Sequence, residues 1–355
     1  MIEKTLQHFN IDGFQQDLLT WYQANKRDLP WRADQDPYRV WVSEIMLQQT
    51  KVDTVIPYFQ RFIDKYPTVY ELADADPQDV LKAWEGLGYY SRARNLQNAV
   101  KEVVATYGGK VPKDREELGA LKGIGPYTRG AILSIAYDQP EPAVDGNVMR
   151  VISRVLKIEE NIAEQRVKKL FEAYVREIIS VNDPASFNQA LMELGALVCT
   201  PKSPDCPVCP IKAHCTAYRE GIQQELPIKT KAKKQKRIPY AVLLIKNQKE
   251  EYLIEKRPDS GLLANLWHFP MVPLEEVGFD EIANWIFREY GIHVTLHDKL
   301  GELKHVFTHL IWQLDIYNAE TDDSNIKRSE LIFEEKRNLK AYPFPVSHLK
   351  MMKYL

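Results

Sequence analysis

Glu44 and Asp145 are the candidates for acid–base chemistry in this chain of 355 residues. Glu44 falls in a predicted helix over residues 38–49, where most of its neighbours on the same face are apolar, Val40 and Trp41 among them. A carboxyl group in such surroundings has a raised pKa and holds a proton near neutral pH. Asp145 precedes another predicted helix, either as its cap or as a carboxylate facing a groove. An acid and a carboxylate together can cleave a glycosidic bond. The plainer interpretation is a surface Glu and a helix cap.

Gly123 and Gly125 lie between two predicted helices, in the segment Leu-Lys-Gly-Ile-Gly-Pro-Tyr-Thr that starts at Leu121. Glycine permits a tight turn and lets another backbone approach closely. The helix that follows would direct free N–H groups outward, which suits a phosphate. The segment therefore predicts a hairpin that binds a nucleic acid backbone without reading sequence. A simple helix–helix turn is the alternative.

The chain has four cysteines, Cys199, Cys206, Cys209 and Cys215, all within 17 residues. Four thiols this close, with a spacing of Cys-x6-Cys-x2-Cys-x5-Cys, indicate one metal centre rather than disulfides. Zinc sites more often use two Cys-x2-Cys pairs, and only one is present here. The spacing by itself leaves zinc and an iron–sulfur cluster both open.

The elements that must position these residues form two blocks. Residues 1–220 show helical spacing throughout, and residues 238–355 contain predicted strands at 240–245, 251–255 and 308–317 with a helix at 280–290. Between them lies a predicted basic linker, 221–237, whose last nine residues carry six basic and no acidic side chains. The sequence thus predicts an all-α domain followed by a small α+β domain. Apolar runs are too short for a membrane span, and the N-terminus has no apolar signal core. We expect a cytoplasmic protein.

Taken together, the glycine hairpin, the Val-Asp-Gly-Asn element at 144–147 and the cysteine spacing resemble the endonuclease III superfamily of base-excision glycosylases. Within that superfamily, the chain is similar to the MutY family of adenine DNA glycosylases. This closer resemblance rests on residues 41–50, 27–32 and 86–90 and on the second domain.

The resemblance implies a fold, a cofactor and a substrate. The fold is a helix-hairpin-helix domain, with the hairpin near residues 115–137 and an iron–sulfur loop at 199–215, followed by a MutT-like (Nudix-like) domain. In the superfamily the four cysteines hold a 4Fe–4S cluster. The substrate is double-stranded DNA with A·8-oxoguanine or A·G mispairs, from which adenine is flipped out and removed. We expect a monomer.

The resemblance also assigns roles to residues. Glu44 protonates the adenine, and Asp145 stabilises the cationic sugar, either by its charge alone or through a covalent intermediate. Tyr127 and Asn147 support that site. Gly123 and Gly125 contact the DNA backbone. Other side chains line the base pocket or enter the base stack: Arg27, Trp31, Leu47, Gln49, Tyr89 and Gln189. Bifunctional members of the superfamily have a lysine at position 127, which forms a Schiff base. With Tyr127 there, we expect a monofunctional glycosylase.

The second domain resembles the MutT-like domain of the family in Leu266–Pro270 and Glu289–Ile292. Most of the carboxylates that would hold magnesium for pyrophosphatase chemistry are replaced, so we expect recognition and no such chemistry. The segment Phe307-Thr308-His309 falls where the family has a Phe-Ser-His loop that contacts 8-oxoguanine. Thr308 keeps the hydroxyl of that serine.

Three other functions compete with this interpretation. A pyrimidine glycosylase and lyase of the endonuclease III type is disfavoured by Tyr127 and by the second domain. A nucleotide pyrophosphatase is disfavoured by the missing carboxylates. A non-catalytic DNA-binding protein is disfavoured because Glu44 and Asp145 are both present.

Overall fold

The computed structural model describes residues 2–230, 235–323, 326 and 328–355. Contacts divide the chain into two units. The first, unit 1, comprises Met1–Asp74 and Asn98–Lys231, and the second, unit 2, comprises Ala75–Gln97 and Ala232–Leu355. The domain boundaries predicted from the sequence stay predictions. Within the predicted linker, residues 231–234 lie outside the described residues, and its last two residues already belong to a strand.

The first 220 residues are helical in the described part, as predicted. The helices are α1 Ile2–Leu6, α2 Ile11–Asn25, α3 Pro37–Leu47, α4 Val52–Lys65, α5 Val69–Asp74, α6 Pro77–Ala83, α7 Ser91–Tyr107, α8 Arg115–Ala120, α9 Pro126–Tyr137, α10 Gly146–Leu156, α11 Gln165–Ile178, α12 Pro184–Leu197 and α13 Thr216–Glu220. Helix α6 belongs to unit 2.

Several of these helices start at an Asp-Pro pair, α3 among them. Asp36 caps α3, because its side chain accepts a hydrogen bond from the backbone N–H of Arg39, and Pro37 is the first helical residue. Asp satisfies a free N–H at the helix start, and proline there loses no hydrogen bond. The predicted start of this helix is confirmed, and its end lies at Leu47, two residues before the predicted one.

One apolar cluster of unit 1 is built largely from α2, α10, α11 and α12. Phe14, Leu18 and Tyr22 of α2 follow each other at intervals of four and are almost fully buried. They pack with Val151 of α10 and Phe171 of α11 among others. This packing fixes α10 and α12, the two helices whose ends carry Asp145 and the cysteine loop.

A hairpin joins α8 to α9 through residues 121–125. Leu121 and Ile124 anchor it, since both are buried, whereas Gly123 and Gly125 are exposed. Gly123 has a φ of 88°, a conformation that favours glycine. The same argument does not apply to Gly125, whose backbone is extended with a φ of −88°. There the absence of a side chain leaves the start of α9 open to solvent.

Unit 2 contains a mixed sheet. Its strands are β1 Lys236–Asn247, β2 Glu251–Lys256, β3 Trp267–His268, β4 Met271–Pro273, β5 Thr295–Val306, β6 Leu310–Thr321 and β7 Leu331–Glu335, and its further helices are α14 Ile282–Tyr290 and α15 Val346–Leu349. The order along the sheet is β3-β2-β1-β6-β5, with β4 paired to β1 and β7 to β2. Strands β1 and β6 are parallel, and β5 and β6 form an antiparallel hairpin.

Strand β1 separates two apolar clusters. Ala241, Leu243 and Ile245 pack on the side of α14, while Val242 and Leu244 pack with Phe269 and Phe344 on the other. Such alternation is what a strand produces, because successive side chains point to opposite faces of the sheet. The predicted hairpin of β1 and β2 is confirmed, as is the overall architecture of a helical domain followed by an α+β domain. None of the described helices is long and apolar enough to span a membrane.

Candidate active site

A cavity of about 860 Å³ in unit 1 brings together every site residue that the sequence predicted in this unit, apart from the cysteines. The four predicted catalytic residues, Glu44, Tyr127, Asp145 and Asn147, all line it. They come from α3, α9 and the start of α10, which are far apart in the chain. Gly123 and Gly125 of the hairpin lie at the same cavity.

Glu44 is the buried acid of this cavity. It lies near the end of α3 and is only 5% exposed. The pKa of Glu44 is raised to about 7, mainly by burial and also by the charge of Asp145, while a hydrogen bond from Tyr127 lowers it. A carboxyl group with this pKa is protonated in a large fraction of molecules at neutral pH, as a general acid must be.

Tyr127 links α9 to Glu44. Its hydroxyl donates a hydrogen bond of 2.5 Å to Oε2 of Glu44 and also approaches the sulfur of Met192 at 3.5 Å. Burial raises the pKa of Tyr127 well above that of an exposed tyrosine. Tyr127 therefore stays protonated and acts as a fixed donor to the carboxylate form of Glu44.

Asp145 caps α10 and also lines the cavity. The two interpretations from the sequence, a helix cap and a carboxylate facing a groove, are therefore both correct. Its Oδ1 accepts a hydrogen bond of 2.7 Å from the backbone N–H of Val148, and its Oδ2 accepts one of 2.8 Å from Nδ2 of Asn147. Burial raises the pKa of Asp145, and these two hydrogen bonds oppose the rise. The bonds hold the carboxylate in one orientation.

Asn147 is itself held on two sides. Its Oδ1 accepts a hydrogen bond of 2.9 Å from Arg150, which also donates to the carbonyl oxygens of Gly195 and Cys199. Gly195 of α12 lies so close that a Cβ atom there would be 2.7 Å from the Cβ of Asn147. A contact this short does not occur between real side chains, so α12 needs glycine at this position.

The residues predicted to bind the base line the same cavity: Arg27, Trp31, Leu47, Gln49 and Gln189. Trp31 is buried and packs edge-on against Phe59, with ring centroids 5.5 Å apart. Gln49 is exposed and has a φ of 58°, which places it on a sharp turn just after α3. The amide of Gln189 is oriented by Arg32, whose Nε donates to its Oε1 at 3.0 Å.

A cluster of charged residues around Glu193 also lines this cavity and was not predicted from the sequence. Glu193 is 1% exposed and accepts hydrogen bonds from Arg27, at 2.8 and 2.9 Å, and from Arg32, at 3.0 Å. Burial alone would raise the pKa of Glu193, but the two arginines lower it to about 2. The available signal was the spacing: Glu193 follows Gln189 by four residues, so both lie on one face of α12.

The other predicted recognition residues lie in unit 2. Phe307, Thr308 and His309 form the tip of the β5–β6 hairpin, so the strand predicted from residue 308 begins only at Leu310. Thr308 and His309 are exposed, whereas Phe307 packs against Trp312, with ring centroids 4.8 Å apart. Tyr89 is 44% exposed.

The four cysteines line one small cavity beside α10 and α12. Arg154 of α10 is 2% exposed, and its Nη1 lies 3.2 Å from the sulfur of Cys199. Among the described residues, no group of three or more His, Cys, Asp or Glu side chains is arranged to hold a metal ion directly. Asp205 lines the cavity as well, and the four thiols are a donor set that fits a thiolate-bound iron–sulfur centre.

Comparison with known families supports both parts of the chain. Residues 42–177 match the HhH-GPD superfamily of base excision DNA repair proteins, and residues 241–354 match the NUDIX domain. The helix-hairpin-helix and Nudix-like assignments made from the sequence are therefore confirmed.

Curated relatives cover most of the chain. It is 37% identical to the adenine DNA glycosylase of Rattus norvegicus, over 87% of this chain and 70% of that one. It is 36% identical to the adenine DNA glycosylase of Buchnera aphidicola subsp. Schizaphis graminum, over 83% and 84% of the two chains. The adenine DNA glycosylase of Homo sapiens is 35% identical, over 86% and 67%.

Among solved structures, a thermostable thymine-DNA glycosylase is similar over 59% of this chain and 97% of its own, with a TM-score of 0.54 and 27% identity. The protein in a non-covalent endonuclease III–DNA complex is similar over 59% of this chain and 95% of its own, with a TM-score of 0.50 and 23% identity, which shows a shared fold.

Proposed function

The chain belongs to the adenine DNA glycosylases of the HhH-GPD superfamily, and on that premise we propose that it removes adenine paired with 8-oxoguanine or guanine, by hydrolysis alone. The observation that carries the proposal is the pair of Glu44 and Asp145 in one cavity, with Tyr127 bonded to the first and Asn147 to the second. An enzyme that cleaves an N-glycosylic bond needs an acid for the leaving base and a carboxylate for the cationic sugar.

In the proposed reaction, Glu44 gives its proton to the ring of the flipped adenine and so turns the base into a neutral leaving group. Its pKa of about 7 suits a donor at neutral pH. As Glu44 becomes a carboxylate, the hydroxyl of Tyr127 is already in place to stabilise the new charge. Asp145, held by the N–H of Val148 and by Asn147, stabilises the positive charge that develops on the sugar.

The proposal of hydrolysis without strand cleavage rests on position 127. A lyase of this superfamily needs an amine there, and Tyr127 cannot form an imine with the sugar. Two lysines, Lys168 and Lys169, also line the cavity. We propose that neither forms a Schiff base in the normal reaction, so that water attacks the sugar.

Recognition of the opposite base is assigned to unit 2. At its imidazole edge, 8-oxoguanine presents a carbonyl oxygen and an N–H where guanine has a C–H and a lone pair. Together, the exposed hydroxyl of Thr308 and the exposed imidazole of His309 can donate a hydrogen bond to this carbonyl oxygen and accept one from this N–H. The backbone of this tip is supported by Gln235, whose amide donates to the carbonyl oxygen of Phe307 at 2.5 Å.

We further propose that Cys199, Cys206, Cys209 and Cys215 hold a 4Fe–4S cluster. The proposal is supported by the four cysteines lining one cavity and by the resemblance to a superfamily in which cysteines with this spacing hold such a cluster. When bound, the cluster would serve as a structural centre that organises this loop beside α10.

The test is an excision assay under single-turnover conditions on three duplexes, which carry A·8-oxoguanine, A·G and thymine glycol. We expect adenine loss from the first two, no loss of thymine glycol, and an abasic strand that breaks only after alkali. Release of thymine glycol with strand cleavage would instead indicate an enzyme of the endonuclease III type.

A further inference from the structure

A second cavity of unit 1, of about 310 Å³, adjoins the cavity that holds Glu44 and Asp145. We call it the rear chamber, and the cavity of the two carboxyl groups the front cavity. The rear chamber lies between residues of segment 22–35 and residues of segment 183–189, with Ile135 beside them. Four residues line both spaces: Arg27, Arg32, Ile135 and Gln189. A residue that lines two cavities has atoms facing each, so these four form the wall between them.

The rear chamber reaches solvent on its own side. Lys26, Asp28 and Gln35 line it and are exposed. The predicted contacts to the DNA backbone, Gly123 and Gly125, line the front cavity and not the rear chamber. DNA bound at the glycine hairpin would therefore cover the front cavity and leave the rear chamber open.

Gln189 is the part of the wall that can move. Its Oε1 accepts a hydrogen bond of 3.0 Å from Arg32, and its Nε2 donates one of 3.2 Å to the carbonyl oxygen of Ala185. Rotation about its own side-chain bonds releases both. Arg32 is held more firmly, because it also donates to Glu193 at 3.0 Å and to the carbonyl oxygen of Arg27 at 2.9 Å. A change of one side-chain rotamer thus opens the wall without any backbone movement.

The rear chamber suits a small polar ring and not a nucleic acid backbone. Its charged lining residues balance, three basic against three acidic: Lys26, Arg27, Arg32, Asp28, Asp34 and Asp183. A site for phosphates would carry a net positive charge instead. Ile135 and Ala185 add apolar surface. Mixed walls of this kind are typical of small-molecule sites, whose volumes start at about 300 Å³.

We propose that the rear chamber is the exit for the excised base, an inference that rests on the proposed removal of adenine. The adenine enters the front cavity while it is still attached to its strand, so the bound strand still fills that opening once the bond is broken. Gln189 then rotates out of the wall, and the free base passes through the rear chamber to solvent while the abasic DNA stays bound. Departure by this route takes the base away from the sugar before the two can rejoin.

The experiment follows the base and the strand separately. A duplex with tritiated adenine opposite 8-oxoguanine is mixed with excess protein for a single turnover at low salt, which strengthens DNA binding. Samples taken over time pass through a short gel-filtration column that separates free adenine from the protein–DNA complex. In the wild type we expect adenine to leave the complex as fast as it is excised, with the abasic strand still bound.

Two variants obstruct the rear chamber from different sides. Gln35→Trp and Ser186→Trp each place a large ring at its lining, and neither residue lines the front cavity. Excision should stay within about twofold of wild type, whereas release of adenine from the complex should slow about tenfold or more, as expected when an exit limits the rate. Gln16→Trp is the matched control, because Gln16 is exposed on α2 and lines neither cavity.

The outcomes separate this inference from the proposed function. Adenine that leaves the wild-type complex only together with the abasic strand would overturn the exit route and leave the proposed function intact. Release at the wild-type rate from both Gln35→Trp and Ser186→Trp, with normal excision, would overturn it too. A wild-type protein that excises no adenine would refute the proposed function, and the inference with it.

Discussion

Tyr127 and Glu44 share a hydrogen bond of 2.5 Å between side chains that lie 83 residues apart in the chain. The bond joins α9, which follows the glycine hairpin, to α3, which carries the acid. We propose that it sets the chemistry of the cavity. The same phenol would stabilise the carboxylate form of Glu44, and it occupies the position where, by the resemblance, the lyases of the superfamily carry an amine.

The first prediction concerns Glu44. Glu44→Gln keeps the shape of the side chain and removes the proton that goes to adenine. Excision from A·8-oxoguanine duplexes should fall by at least about a hundredfold in single-turnover assays, the scale of general acid catalysis, with duplex binding retained. Glu172→Gln is the control, since Glu172 lines the same cavity without a catalytic assignment. Near-normal excision by Glu44→Gln would refute the role.

The second prediction concerns pH. Glu44 acts in its protonated form and has a pKa of about 7, so the excision rate should decline above this pH. At acid pH the rate should fall as well, because burial raises the pKa of Asp145 and that group must stay a carboxylate. The hydrogen bond from Tyr127 lowers the pKa of Glu44. Tyr127→Phe should therefore move the alkaline limb of the profile to higher pH. A limb that moves to lower pH in Tyr127→Phe would show that Glu44 is not the group that titrates.

The third prediction concerns covalent trapping. Tyr127→Lys places an amine where the superfamily lyases have one, so borohydride should crosslink this variant to cleaved DNA. The wild-type protein should give little crosslink. Because Lys168 and Lys169 line the cavity, both proteins are also made with these two lysines changed to alanine. Trapping of wild type at the level of Tyr127→Lys would contradict a monofunctional enzyme.

The fourth prediction concerns the hairpin tip. Thr308→Ala combined with His309→Ala should lower the affinity for A·8-oxoguanine about tenfold or more, since two hydrogen-bonding groups are lost. Affinity for A·G should hardly change, and excision from bound substrate should suffer less than in Glu44→Gln. His297→Ala, on the same hairpin, serves as control. Equal loss for both duplexes would make the tip a general DNA contact.

The fifth prediction concerns the metal. Protein purified without oxygen should contain about four irons per chain and little zinc, with the brown colour of a 4Fe–4S centre. Cys199→Ser should lower the iron content, whereas Thr200→Ser, the neighbouring residue, should not. Stoichiometric zinc in fully active protein would show that the cysteines hold a single ion instead.

Much of the helical unit could be predicted because short sequence signals mark where its helices begin. Asp36-Pro37 marks the start of α3. Helix α2 was not predicted as a separate element, although Phe14, Leu18 and Tyr22 repeat at helical spacing. Strand β5 was missed as well, because its side chains are mostly exposed or partly buried and show no run of apolar residues.

The catalytic candidates of the site could be predicted from sequence motifs, whereas the residues that pack around or bond to site residues were harder to predict. Motifs indicated Glu44, Tyr127 and Asp145, and the structure brings all three to one cavity. The buried Glu193 and the contact between Tyr89 and Thr308 depend on how distant segments pack. No local pattern encodes a hydrogen bond between residues that are 219 positions apart.

Gly195 restricts which amino-acid changes this protein tolerates. It contacts no reacting atom and has no side chain, yet any substituent at this position would meet Asn147 and disturb the residue that holds Asp145. A survey of random amino-acid changes would therefore count position 195 among the intolerant ones, beside the two carboxylates. The smallest residue of α12 thus supports the orientation of Asp145 through the side chain that it lacks.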